Sequence, residues 1–259
     1  MKVKVLIAAH KKFPMPADKQ LYLPILVGAT QNFKPEIKYQ RDDSGENISN
    51  KNPNYNELTA IYWAWKNMNN IDAIGLMHYR RVFCKGWGRG FRNVLNQRDI
   101  EKMLSGNDVL LPKKRYYIIE TNYSHYIHAH NAEPLKVLEE VIKDTYPKYY
   151  DSFIRVMKKR SAHMFNMFIM KKAVFNQYSS WLFSVLFEVE SKIDISEYSV
   201  QEKRVFGYLS ELLMDVWIET NNIKYDTVRW KQLGRKHLIK KIVYLVYRKF
   251  KPGGTETHF

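Results

Sequence analysis

The chain has 259 residues, 45% of them apolar and 14% aromatic, with 42 Lys and Arg against 26 Asp and Glu. That length and apolar content exclude disorder and suit one large α/β domain plus a tail. The net charge of +16 predicts an anionic partner, whether nucleic acid, membrane lipid or a phosphorylated substrate, and the single Cys84 excludes a disulfide framework or a cysteine metal cluster and fits a reducing, cytoplasmic compartment.

The opening MKVKVLIAAH has an apolar run too short for a signal segment, with no small-residue cleavage site after it, and reads as a first strand over Val3–Ala9. It runs into the polar pair His10-Lys11 and is broken by Pro14. A loop at the carboxyl end of a first strand is where open α/β sheets place ligands. Residues 41–54, RDDSGENISNKNPN, are almost purely polar and read as a functional loop, with Asp42, Asp43, Asn47 and Asn54 as its ligand candidates. A helix is predicted over 55–68, capped by Asn54 or Asn56, with Leu58, Ile61, Tyr62 and Trp65 at helical spacing and its aromatic residues assigned to packing. Glu57, in its first turn, is placed at the sheet's ligand edge. Residues 73–77 predict a buried strand that delivers His78-Tyr79-Arg80-Arg81 to its carboxyl end.

Further along, 99–104 reads as a short helix and 108–112 as a strand leading into Lys113-Lys114-Arg115. Helices are predicted over 135–144 and 149–157, a third apolar strand over 163–170, and helices over 175–190 and 201–219. Alternation of strands and helices argues for an α/β fold with a mainly parallel sheet. Between Arg229 and Lys251 stand nine Lys or Arg and no acid. Within that segment Leu238, Ile239, Ile242, Val243, Leu245, Val246 and Phe250 fall on one helical face, so a domain over 1–228 is followed by a basic amphipathic tail over 229–259. The tail is too short and too charged to span a bilayer and reads as an interfacial helix on an anionic membrane surface.

No Walker P-loop, Gly-x-Gly-x-x-Gly, His-Glu-x-x-His or Gly-x-Ser-x-Gly occurs. What remains is a set of polar clusters at strand ends that suits a phosphorylated polar ligand. Arg80 and Arg81 are placed to meet the charge of a leaving diphosphate. His78 is a candidate metal ligand or diphosphate contact. The histidines His125, His128 and His130, read as lying on a loop, are candidates for metal ligation or substrate contact, and His128 and His130, with Asn131, for acceptor contact. Glu211 is a carboxylate among apolar neighbours, so its pKa is expected to rise toward a general-base range.

Six segments, AAHKKF at 8–13, DDSGENISNKNPNYNELTAIYWAWKN at 42–67, IGLMHYRR at 74–81, DVLLPKKR at 108–115, FNMFIM at 165–170 and RVFGYLSELL at 204–213, resemble one family. It is the domain of unknown function common in bacterial capsule, exopolysaccharide and O-antigen clusters, later recognised as glycosyltransferases that include galactofuranosyltransferases. The resemblance covers about residues 1–220. It implies a single A-type glycosyltransferase-like domain, a uridine diphosphate (UDP) sugar donor, a lipid-linked saccharide acceptor and transfer of a hexosyl residue with inversion. It also implies catalysis by Glu211, with His10, Lys11, Asp42, Asp43, Asn47, Asn54, Glu57, His78, Tyr79, Arg80 and Arg81 on the donor. Such domains normally carry an Asp-x-Asp that holds Mn or Mg on the diphosphate. None exists here, and His78-Tyr79-Arg80 stands in its position. Two mechanisms are therefore open: a metal held partly by His78, or metal-free stabilisation by Arg80 and Arg81. Asn56 stands where the family commonly has cysteine, and Leu212 where an Arg often follows the glutamate.

The enzyme is expected in the cytoplasm, peripheral on the inner face of the cell membrane. An inert saccharide-binding or scaffold protein is the alternative that the missing Asp-x-Asp permits. A nucleic-acid-binding protein is disfavoured, because the charge sits in one tail and no reading module is recognisable.

Overall fold

The computed structural model describes residues 1–86 and 88–234. In chain order the elements are β1 (Val3–Ala9), β2 (Tyr22–Leu26), α1 (Ala29–Asn32), β3 (Gln40–Arg41), α2 (Asn52–Tyr55), α3 (Leu58–Asn67), β4 (Ala73–His78), β5 (Arg81–Phe83), α4 (Gln97–Leu104) and β6 (Val109–Pro112). There follow β7 (Arg115–Tyr116), α5 (Asn122–Ala129), α6 (Glu133–Thr145), α7 (Tyr150–Lys158), β8 (Ser161–Ala162), β9 (Phe168–Lys171), α8 (Lys172–Lys192), α9 (Val205–Thr220), β10 (Tyr225–Val228) and β11 (Trp230–Gln232).

The main sheet runs β10-β6-β9-β4-β1-β2-β3. Strand β1 pairs in parallel with β2 and β4, and β6 in parallel with β10, whereas β9 is antiparallel to both β4 and β6. The carboxyl ends of β1, β2, β4 and β6 therefore open on one edge. Helices α3, α6, α7, α8 and α9 cover one face, where Phe153, Phe168, Phe175, Tyr178, Phe183 and Phe206 are buried together. On the other face α4 packs with Val5, Ile7, Met77, Phe83 and Leu110. Fully covered strands need no polar alternation, which is why 73–77 reads as a continuous apolar run. The aromatic stripe of α3 packs as its spacing implies: Trp65 stacks on Phe183 at 5.9 Å and Tyr62 meets the same ring edge-on. Among the described residues no helix is long and apolar enough to cross a membrane.

Several elements differ from the sequence reading. The helix expected over 55–68 is two helices, because Asn56 takes φ 51° and ψ −128° and breaks the path between α2 and α3. Of the strand expected over 163–170, only Phe168–Lys171 pairs. Asp215 captures the His163 backbone N–H and its Nδ1, and Phe165 and Asn166 both take left-handed backbone, at φ 78° and 51°. The histidines of 125–130 lie on α5 and at its C-cap, not in a loop. A reciprocal cap between Thr121 and Ser124 starts that helix. Strand β2 is masked in the sequence by Pro24, which is tolerated because β3 pairs only with Ile25 and Leu26. The folded domain also runs past residue 228, since Trp230–Gln232 pairs antiparallel with β5. The amphipathic segment 235–250 lies outside the described residues.

Candidate active site

A cavity of about 770 Å³ opens at the carboxyl edge of the parallel strands. His10 follows β1, and His78, Tyr79, Arg80 and Arg81 form the tight turn from β4 into β5. Glu57 comes from the α2–α3 elbow, Arg115 from β7 beyond the end of β6, Arg204 and Glu211 from the start of α9, and Trp230 from β11. The site is thus assembled from strand ends and helix starts far apart in sequence, as the topology of open α/β sheets favours.

Glu211 stands at its centre. Burial, then the charge of Glu57, push its carboxyl up to about 7, against the opposing effects of Arg81, the Phe165 backbone N–H and Arg115. The Phe165 carbonyl accepts a hydrogen bond from His78 Nε2 at 2.6 Å, which makes Nε2 the proton-bearing nitrogen of that ring. Burial holds the His78 pKa below its usual value, so the ring is neutral near pH 7. One residue therefore touches both the carboxylate and the imidazole, and its ring lies under the Arg81 guanidinium at 4.3 Å. A phenylalanine in left-handed backbone costs about 1–3 kcal/mol, and such strain clusters at functional sites.

The strain is held from both sides. Asn166 is buried; its amide donates to Glu57 Oε1 at 2.8 Å and to the Gly207 carbonyl, and it accepts from Ser210 Oγ at 2.9 Å. At the elbow, Asn56 Oδ1 accepts from Arg204 Nε at 2.9 Å. The approach is so close that a Cβ on Gly207 would lie 2.2 Å from Asn56 Nδ2, so any side chain there would displace the Asn56 amide. Burial lowers the pKa of His10, with Lys11, Arg80 and Arg204 adding to the effect. Its ring meets Tyr79 edge-on at 5.3 Å, and Tyr79 in turn stacks on Phe13 at 3.7 Å.

Of the predicted ligand residues, His10, Glu57, His78, Tyr79, Arg80, Arg81, His130 and Glu211 line the cavity. The others are held elsewhere. Asp42 is fully buried and accepts from the backbone of Gly28 and Ala29 and from the hydroxyls of Ser49 and Thr59, which makes it the organiser of the 41–54 loop. Asp43 pairs with Arg41, Asn47 donates to the carbonyls of Asp43 and Gly45, and Asn54 donates to the Lys203 carbonyl. Lys11 is exposed, His128 meets Glu120, and Asn131 accepts from the Glu133 backbone N–H at the head of α6. The sequence reading missed Arg204, Tyr208, Asn122, Trp230 and Asn166. Arg115, in a basic run after a strand, and His125, in the histidine cluster, carried a local signal.

The residues at the end of β4 fit a protein-held divalent cation poorly. His78 Nε2 is engaged by a carbonyl, the Glu57 carboxylate lies 3.9 Å from it, and Arg81 and Arg204 bring positive charge alongside. Among the described residues no group of three His, Cys, Asp or Glu could hold a metal ion.

The mainly parallel α/β sheet, open at its carboxyl edge, matches the fold of a glycosyltransferase of known structure. The apo structure of WbbM, a bifunctional glycosyltransferase, matches 91% of this chain at 30% identity with a TM-score of 0.79. Residues 4–222 match the family described as a domain of unknown function, DUF4422, and the chain belongs to that family. The match spans 46% of the WbbM chain, so this protein corresponds to under half of that neighbour's length. No curated protein matches the chain.

Proposed function

We propose that the chain transfers a hexosyl residue, galactofuranosyl in the first instance, from a UDP-sugar to a hydroxyl of a lipid-linked saccharide, with inversion, in capsule, exopolysaccharide or O-antigen assembly. The observation that carries this reading is a carboxyl pushed up to about 7 in the same cavity as Arg80, Arg81, Arg115 and Arg204. A base poised near the working pH and a cluster of guanidinium groups are the two things displacement at a sugar carbon needs when the leaving group is a diphosphate.

In this reading Glu211 takes the proton of the acceptor hydroxyl as its oxygen bonds to the anomeric carbon. The bond from that carbon to the diphosphate oxygen breaks, and its electron pair leaves on the diphosphate. Arg80 and Arg81 offset the charge that appears there, with Arg115 and Arg204 beside them. His78 stays neutral and fixes the Phe165 peptide, while Tyr79 and His10 provide flat surfaces for the nucleotide. His130, stacked on Tyr208 at 4.0 Å, belongs to the acceptor side. The basic tail holds the enzyme on the inner face of the membrane.

Donor turnover screened across several UDP-sugars, with and without manganese, tests this directly. Release of UDP by the wild-type chain, lost in Glu211→Gln while donor binding persists, is the expected result. Absence of turnover with every donor, or near-normal turnover in the variant, overturns it.

A further inference from the structure

Outside the cavity, the strongest anomaly of the surface is the run from Lys113 to Tyr123. Its inner side belongs to the site, since Arg115, Tyr117 and Asn122 line the cavity. Its outer side is apolar and bare. Tyr116 is 76% exposed, Ile118 89%, Ile119 56% and Tyr123 37%. Isolated exposed apolar side chains need no explanation, but four large ones within residues 116–123 mark a contact surface. A basic collar flanks them: Lys113 on the same run, and Lys158 and Arg160 leading into β8, which pairs with β7. The acid within 113–123 is Glu120, whose two oxygens are turned to His125 and His128 at 2.6 and 2.9 Å.

We propose that this tip docks on an anionic lipid bilayer, with Ile118 and Ile119 in the interfacial zone, Tyr116 and Tyr123 at headgroup level and the basic collar on the lipid phosphates. Each part has the chemistry of that boundary: tyrosines sit where one end is apolar and the other wet, and Lys or Arg near an anionic surface adds attraction. Charge selects the occupant. The chain's own C-terminal segment, basic throughout 229–251, would meet a collar of its own sign. A second copy would oppose the collar with itself. A bilayer carrying anionic lipid complements both the apolar tip and its rim. The position has a consequence too, because Arg115, Tyr117 and Asn122 of the same run line the cavity. Docking by the tip sets the mouth of the cavity against the membrane, where a lipid-borne substrate enters. This goes beyond the transfer reaction, because docking requires no sugar chemistry.

The test uses the full chain and vesicles of phosphatidylcholine alone or mixed with phosphatidylglycerol. The double variant Ile118→Ser, Ile119→Ser is expected to partition onto the mixed vesicles at least about tenfold more weakly than wild type, with an unchanged melting temperature because both side chains are exposed. Cys84, the chain's single cysteine, is buried, so an Ile118→Cys variant accepts an environment-sensitive fluorophore at one position. Its emission is expected to rise and shift to the blue on mixed vesicles. Vesicle binding with no change in that emission would assign attachment to another surface and overturn the proposal. So would absence of binding to the mixed vesicles. Concentration-dependent self-association in lipid-free buffer that the double variant abolishes would give the patch to a second copy, and would overturn it as well.

Discussion

Replacing Glu211 with Gln should abolish transfer and also stabilise the folded chain, with a pH dependence that can be worked out. Burial, helped by Glu57, raises the carboxyl from 4.5 to about 7. A carboxyl whose folded value lies above its unfolded value binds its proton more tightly in the folded state, so its contribution to stability is complete at low pH. That contribution is lost as pH rises from about 4.5 through about 7. At about 1.36 kcal/mol per pH unit, the loss amounts to about 1 kcal/mol at pH 5 and about 3 kcal/mol at pH 7. Glutamine carries no charge at any pH and escapes this loss. The stability advantage of the variant over wild type should therefore widen by about 2 kcal/mol between those two pH values, or roughly 4–8 °C in melting temperature for a domain of this size. Calorimetric melting of both proteins across that range, at one ionic strength, reads the gap directly. Turnover measured in parallel should fall by roughly 10²–10⁴, and the wild-type rate should climb as pH passes through about 7. A gap that stays flat or narrows with rising pH refutes the claim that Glu211 titrates in this range.

Arg81→Ala should weaken binding of UDP at least about tenfold by calorimetry, since it removes a charge-assisted fork from the cavity; chelation of divalent cations should leave wild-type binding of UDP unchanged. Asp42→Ala should cost about 3–5 kcal/mol in urea unfolding, because it strands two buried N–H groups and two hydroxyls, whereas turnover per folded molecule should stay near wild type. Asn166→Ala should cost about 2–3 kcal/mol through three lost hydrogen bonds and should also lower turnover, since Glu57 loses the amide that holds it; a stability loss without a rate loss would remove Glu57 from the site.

The parallel strands were legible because burial on both faces leaves continuous apolar runs, as in Val3–Ala9 and 73–77, and because each run stops at a polar cluster. The same logic picked out His10, His78, Arg80, Arg81 and, from its apolar surroundings, Glu211, which line one cavity. The 41–54 loop misled for a physical reason: Asp, Asn and Ser that tie a loop to itself look in sequence like residues that bind a ligand. Asp42, with four internal donors, is the clearest case. The inverse failure is Asn166, an unremarkable residue of FNMFIM whose part in the site arises only when the turn before β9 meets α9 and the amide reaches Glu57. Arg204 and Trp230 were invisible for the same reason, since they join the site through tertiary contact, and β11 had been absorbed into the basic tail.

The junction at Phe165 ties the parts of the site to one another. Its N–H bonds the Glu211 carboxylate, its carbonyl takes the His78 proton, and its ring supports Arg81. A shift of this one peptide would move the base, the imidazole and a member of the arginine cluster together. The segment is pinned through His163 to Asp215 and through Asn166 to Ser210 and Gly207. All three of these anchors lie on α9, as does Glu211 itself, so the helix that carries the base also holds the strained turn that tunes it. Asn56 meets Arg204 and crowds Gly207, which brings the α2–α3 elbow and Glu57 into the same assembly.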